Sequence, residues 1–236
     1  IKEIKEKKFQ ITDISSKVVK RNPSGPFTTS TLQQVASSRL GFGASRTMQI
    51  AQKLYQGVEI EGDTVGLITY MRTDGTNLSA DAVNDFRSFI KNEYGNEYLP
   101  DSANNYSGKK AKNAQEAHEA IRPTDINRAP NTLKKYLSSD QQKLYNLIWS
   151  RALSSQMEVA QFDRNTITIE SEDNQTICKA SGSVLKFDGF LKVYSNTSKD
   201  DDEEILPEMS KGPINIEALI DEQHFTQPPP RYSEAS

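Results

Sequence analysis

Asp140 to Met157 reads DQQKLYNLIWSRALSSQM, and its apolar positions Leu144, Leu147, Ile148, Ala152 and Leu153 recur at helical spacing, with Trp149 expected in the core. Soon afterwards Thr166-Ile167-Thr168-Ile169 alternates with a period of two. This change of period at Met157 decides the fold class, which is α+β with helices before it and strands after it. Toward the C-terminus, strands are predicted at Thr176-Ile177-Cys178-Lys179-Ala180, Val184 to Val193 and Pro213 to Leu219. Turns are expected at Asp173-Asn174, at Ser181-Gly182 and in the acidic run Asp200-Asp201-Asp202-Glu203-Glu204.

Toward the N-terminus the pattern is helical. Ser79 caps a helix through Tyr94 with Val83, Phe86, Phe89 and Ile90 inward, and polar residues 92–112 then read as loop. Another helix is predicted from Ser45 to Gln56, burying Met48, Ala51, Leu54 and Tyr55 and ending at Gly57. Ser30 and Gln33 have the spacing of a capping box for a helix from Thr31 to Leu40, stopped by Gly41. Residues Phe9, Ile11, Ile14, Val18 and Val19 predict a strand or two at the start, and Val65 to Tyr70 a short strand or extended segment. Residues 1–25 and 159–224 therefore read as a β-rich domain, with a helical domain, 26–158, inserted into it and 225–236 beginning a further domain.

The 236 residues carry no apolar run of membrane length and no signal peptide, and the single cysteine, Cys178, excludes an internal disulfide. Such usage fits a cytoplasmic protein. Lys plus Arg number 29 against 32 Asp plus Glu, but the acidity is concentrated late: residues 1–25 carry +4, 26–158 +1 and 159–236 −8. Nucleic-acid binding depends on local cations rather than the chain sum, and Lys17, Lys20, Arg21 and the Lys109-Lys110-Lys112 cluster are candidates.

The residues that carry chemistry are Ile68-Thr69-Tyr70-Met71-Arg72-Thr73-Asp74, where an apolar run turns polar. Extended backbone puts Tyr70 and Arg72 on one face, either as a structural pair or as a phenol beside a phosphate-binding guanidinium. A free phenol titrates near 10, so attack by its anion needs nearby positive charge. A second dense string is Gln115-Glu116-Ala117-His118-Glu119-Ala120-Ile121-Arg122-Pro123-Thr124. Its H-E pair does not make a zinc-protease H-E-x-x-H, because Arg122 stands where the second His would be. The acidic run at 200–204 has no apolar strand to aim it inward and reads as a solvated loop, so no metal site is expected.

Together with Pro26-Phe27-Thr28-Thr29-Ser30-Thr31-Leu32-Gln33-Gln34 and Pro228-Pro229-Pro230-Arg231-Tyr232-Ser233-Glu234-Ala235-Ser236, these strings resemble the type IA DNA topoisomerases in ordered fashion along the chain, most closely the bacterial topoisomerase I group. One departure is Gly75, where the family usually has Ser. The resemblance implies a helical catalytic-tyrosine domain inserted into an antiparallel β arch. It implies single-stranded DNA as partner, and a transesterification in which Tyr70 forms a 5′-phosphotyrosyl link without ATP. Arg72 then contacts the scissile phosphate and His118 lies near it, while Thr31, Gln34, Asp74 and Arg122 are lower-ranked DNA contacts. Ser30 has first a capping role, and Arg122 is equally an intradomain ion pair. Asp74 and Glu116 could instead orient Arg72 or His118, or share protons with the metal half; Tyr232 could stack a base, and Phe27 could too but ranks first as a core residue. The resemblance also implies an N-terminal Toprim domain supplying Mg²⁺, whose carboxylate set is not found here. The expectation is accordingly a monomeric central fragment, inactive in relaxation by itself and completed by the other domains of the same enzyme. The competing reading is a noncatalytic single-stranded DNA-binding or gate module.

Overall fold

The computed structural model describes residues 7–106, 119–194, 209–215, 225, 226 and 228. Its elements are β1 (Phe9–Arg21), α1 (Thr29–Leu40), α2 (Ala44–Gln56), β2 (Val58–Ile60), β3 (Asp63–Val65), α3 (Ala80–Glu93), α4 (Ser139–Ser154), β4 (Ala160–Ser171), β5 (Ile177–Phe187) and β6 (Gly212–Ile214). Of the described residues, 7–21, 160–188 and 209–215 belong to one compact unit, and 22–106, 119–159 and 189–194 to the other.

The first unit is an antiparallel sheet of order β5-β4-β1-β6. Alternation sets its register: Ile14 faces Ile167, which faces Ala180, while Val19 faces Phe162, which faces Leu185. A shift between Ile11 and Asp13 marks a bulge in β1. Phe9, Ile11 and Ile167 are buried. The turn expected at Asp173-Asn174 forms, with Asn174 at φ 56° and the Asp173 carboxylate accepting from the Gln175 N–H at 3.1 Å.

Two sequence expectations for this sheet are corrected. There is no turn at Ser181-Gly182; these residues pair with Thr166 and Asn165, and β5 runs on through them because the ladder outweighs a local glycine. The strand expected from Val184 to Val193 ends at Phe187. Gly189 adopts φ 47°, and a Cβ there would meet the Val159 carbonyl at 2.5 Å, so only glycine lets the chain turn at this point. The Phe190 N–H then donates to the Glu158 carbonyl at 2.9 Å, and a 3₁₀ turn over Gly189–Lys192 buries Phe190. Of the strand expected at 213–219, residues 213 and 214 lie in β6 and 216–219 lie outside the described residues.

In the second unit α1, α2 and α4 pack against one another. As predicted, α4 buries Leu144, Leu147, Ile148, Ala152 and Leu153, together with Trp149. Its large polar-tipped residues are satisfied: the Tyr145 hydroxyl donates to the Arg128 carbonyl at 2.8 Å and the Trp149 indole to that of Ile126 at 2.9 Å. α3 begins after Ser79, whose Oγ accepts from the Ala82 N–H, and buries Phe86 and Ile90.

The cap of α1 differs from the Ser30–Gln33 expectation. Thr28 is the N-cap, and its hydroxyl accepts from the Thr31 N–H while the Thr31 hydroxyl accepts from the Thr28 N–H. A reciprocal pair was already available two residues earlier, so the helix starts at Thr29; Gly41 closes it as predicted. On α2 the buried stripe is Thr47, Ile50, Ala51 and Leu54, not Met48 with Tyr55. The spacing is the expected one, but rotated, because Thr47 can be buried once its hydroxyl donates to the Gly43 carbonyl at 3.1 Å. Tyr55 is left 40% exposed.

Candidate active site

Three segments far apart in the chain lie side by side in the helical unit. The Ile121 N–H donates to the Phe27 carbonyl at 2.9 Å, and Phe27 and Ile121 form an antiparallel bridge. Ile68 bridges Pro123, with the Thr69 N–H donating to the Arg122 carbonyl and the Thr124 N–H to that of Leu67. The Thr29 N–H donates to the Thr73 carbonyl at 2.8 Å. All three strings singled out in this part of the sequence thus meet through backbone hydrogen bonds.

Residues 70–74 alternate across this seam. Met71 and Thr73 are buried, whereas Tyr70, Arg72 and Asp74 point outward, as period-two spacing requires. Tyr70 is 45% exposed and packs edge-on against Tyr55, ring centroids 5.3 Å apart. Among the described residues its hydroxyl has no hydrogen-bond partner, and the Arg72 side chain has neither a hydrogen bond nor an ion pair. Tyr106 and Tyr145 offer a contrast. Burial pushes the Tyr106 phenol up to about 12, partly countered by Arg151, and its hydroxyl is tied to the Pro23 and Ser155 carbonyls. Burial likewise raises Tyr145. Both hydroxyls are spent on backbone carbonyls, whereas among the described residues that of Tyr70 is not.

Local chemistry explains why the strip is held here. Gly66 precedes it, and a Cβ at that position would lie 2.8 Å from the Tyr55 carbonyl, so glycine permits the close pass of the strip against the end of α2. Thr69 donates its hydroxyl to the Ala120 carbonyl at 2.7 Å and accepts from the Arg122 N–H at 3.0 Å. Gly75, lacking a side chain, is held by its own N–H donating to the Thr73 hydroxyl at 3.0 Å.

The remaining sequence candidates separate. The Thr31 hydroxyl is occupied in the α1 cap, whereas Gln34 lies on the exposed side of that helix. Arg122 grips Glu119, its Nη2 reaching both carboxylate oxygens at 3.1 and 2.9 Å, so its guanidinium is engaged within the unit. Phe27 is fully buried and packs under the Arg151 guanidinium. His118, Glu116, Tyr232, the Lys109-Lys110-Lys112 cluster and the acidic run 200–204 lie outside the described residues. Tyr55, Thr29, Thr69 and Glu119 are the neighbours that sequence reasoning missed. Thr29 and Thr69 lie within the quoted motifs, but a hydroxyl's partners 42 and 51 residues away leave no local pattern.

Glu119 also accepts from the Ser79 N–H at 2.6 Å, capping α3 from 40 residues away, where the helix's own third residue, Ala82, cannot reach back. Burial raises its carboxyl, but the Ser79 hydrogen bonds and the Arg122 charge outweigh this and hold it below the ordinary 4.5. A depressed folded-state value means stabilisation that is present above the unfolded value and lost as pH falls through the folded one. Glu119→Gln is therefore expected to lower stability by about 1–2 kcal/mol at pH 7. In urea titrations across pH the difference from wild type should shrink below the ordinary glutamate value; a pH-independent difference would assign the loss to geometry instead of charge.

A family model described as DNA topoisomerase matches residues 1–236. DNA topoisomerase 1 of Rickettsia bellii is 51% identical over 237 residues, which is 99% of the chain and 30% of that protein. That of Helicobacter pylori is 47% identical over 235 residues, covering 99% of the chain and 31% of its own length. Among solved structures, full-length topoisomerase I from Thermotoga maritima matches with a TM-score of 0.76 at 37% identity, over 90% of the chain and 34% of that structure. The chain thus spans about 30% of the length of the curated relatives it matches.

Proposed function

The chain belongs to the DNA topoisomerase family, with the α+β fold of a bacterial type IA enzyme, and from that premise we propose that it carries the tyrosine half of a site that cleaves and reseals single-stranded DNA. The observation that carries this reading is the seam: one exposed tyrosine and one exposed arginine on the same face of a strip whose alternate residues are buried. The Tyr70 oxygen attacks the phosphorus of a backbone phosphodiester. A Tyr–O–P bond forms, the P–O3′ bond breaks, the phenolic proton is given up and the departing 3′ oxygen takes one. Resealing is the same exchange run backward, so the energy of the phosphodiester is conserved and ATP is not consumed.

Arg72 supplies forked donors to the phosphate oxygens as charge builds on them. The buried neighbours Met71 and Thr73 hold the strip against rotation, so the two outward side chains keep their relative direction while substrate binds. Among the described residues no three His, Cys, Asp or Glu come together to hold a metal ion. The Mg²⁺ implied by the resemblance has no ligand set in them. Also among the described residues, no helix is long and apolar enough to cross a membrane. The protein works with the other domains of its own enzyme, on DNA in the bacterial cytoplasm.

The test is to add the N-terminal metal-binding domain of a full-length relative in trans with Mg²⁺ and an end-labelled oligonucleotide, then separate products under denaturing conditions. Label at the 3′ end is expected to stay on protein, because a 5′-phosphotyrosine retains the downstream piece, and 5′ label is expected to leave. Peptide mapping should find the modified residue at Tyr70. Binding of both pieces without any adduct would reject catalysis in favour of a noncatalytic gate module.

A further inference from the structure

The structure assigns to Thr29 the role of a positioning residue for Arg72, through a hydroxyl bridge that spans the arginine's backbone. This rests on the reading of Tyr70 and Arg72 given above. The Thr29 hydroxyl lies 2.7 Å from the Met71 carbonyl and 3.0 Å from that of Thr73, and it accepts from the Thr73 N–H at 2.8 Å. A hydroxyl has one proton to give. The Thr73 carbonyl is already served by the Thr29 N–H at 2.8 Å, so the proton belongs to the shorter contact with Met71. One oxygen therefore grips the carbonyl of the peptide plane before Arg72 and the N–H of the plane after it.

Those two planes are what φ and ψ of Arg72 rotate against each other, so the bridge sets the direction in which the arginine side chain leaves the backbone. This matters because nothing holds the far end: among the described residues the Arg72 guanidinium makes no hydrogen bond or ion pair. A long side chain that must meet a phosphate can be aimed only from its root when its tip is free. Thr29 is suited to this because it is the first residue of α1 and is itself anchored by the Thr28–Thr31 cap. Its hydroxyl thereby couples a helix N-terminus to a strip more than 40 residues away.

The experiment uses the trans-complemented protein with 3′-labelled oligonucleotide and compares wild type, Thr29→Val, Thr29→Ser, Arg72→Ala and the Thr29→Val/Arg72→Ala double variant. Thr29→Val keeps the branched shape and removes the bridge. Its adduct rate at saturating oligonucleotide is expected to fall about tenfold, the error in alignment being small, while half-saturation stays within about twofold and Thr29→Ser stays near wild type. Because Thr29 acts through Arg72, Thr29→Val is expected to add nothing in the Arg72→Ala background. Hydrogen exchange at the Thr73 amide should quicken in Thr29→Val and not in Thr29→Ser. A wild-type rate in Thr29→Val, an equal defect in Thr29→Ser, or full additivity with Arg72→Ala would each overturn the assignment. Thr29→Ala stands in under the same criteria if Thr29→Val does not fold. Absence of any Tyr70-dependent adduct in wild type would overturn the functional reading and this inference together, whereas a robust wild-type adduct with an unimpaired Thr29→Val overturns the inference alone.

Discussion

Tyr70→Phe is expected to abolish covalent capture of DNA, lowering adduct formation by on the order of 10⁴–10⁶-fold, the scale seen when an enzyme loses its nucleophile. The prediction is sharp because the substitution removes one oxygen and little else. The phenyl ring keeps its edge-on contact with Tyr55, and among the described residues the lost hydroxyl has no hydrogen-bond partner to leave unsatisfied. Stability should therefore stay within about 0.5 kcal/mol of wild type, and oligonucleotide binding should persist. Adduct yield on a denaturing gel, beside binding by fluorescence anisotropy and a urea melt, checks all three together. An adduct that survived the substitution would move the nucleophile to another residue.

Arg72→Ala is expected to have the next largest effect, a fall in adduct rate of about 10²–10³-fold, the usual consequence of removing one preorganised donor to a charged transition state. Ground-state binding should fall by less than about tenfold, because Arg72 is exposed and its contact with a phosphate is screened before reaction. Arg72→Lys should recover only part of the rate, since an ammonium cannot present the guanidinium's paired donors. Rapid-quench measurement of adduct formation against oligonucleotide concentration separates rate from binding. If Arg72→Ala instead lost stability and bound DNA equally well, the Tyr70–Arg72 spacing would be a structural pair.

Acting on one strip, these two substitutions are expected to leave the fold intact. Disrupting Thr69 or Glu119 would not be so confined, because their hydrogen bonds tie the strip to residues 120–122 and those residues to the start of α3. Adjacent positions in the seam thus divide between exposed side chains and supporting ones. Among the described residues the outward tips of Tyr70 and Arg72 meet no hydrogen-bond partner, whereas the Thr29, Thr69 and Glu119 side chains are engaged with backbone or with Arg122.

Periodicity made much of the fold legible before any coordinates. The α4 stripe, the stop of α1 at Gly41, the Ser79 cap of α3 and the Asp173-Asn174 turn all stand where the pattern put them. These signals are local: each reports on side chains within a turn of helix or one pleat of strand. Where two local signals competed, the pattern could not arbitrate. The spacing put the cap at Ser30, and the reciprocal Thr28–Thr31 pair formed instead. Thr47 read as polar and yet is buried, which displaced the predicted face of α2 and hid Tyr55's place beside Tyr70. Ser181-Gly182 reads as a turn in isolation, but its ladder with Asn165 and Thr166 is a longer-range fact.

The amino-acid order alone settled the α+β class, the helix-to-strand change at Met157 and the single face shared by Tyr70 and Arg72, because each follows from a repeat of two or 3.6 residues that backbone geometry imposes on any chain. Tertiary structure alone decided that the segments around Thr29, Tyr70 and Ile121 share one seam, that Glu119 caps a helix 40 residues before it and that Arg122 is held by Glu119. Those are hydrogen bonds between residues distant in sequence, formed only once burial of Phe27, Ile68, Met71 and Ile121 has brought the segments together.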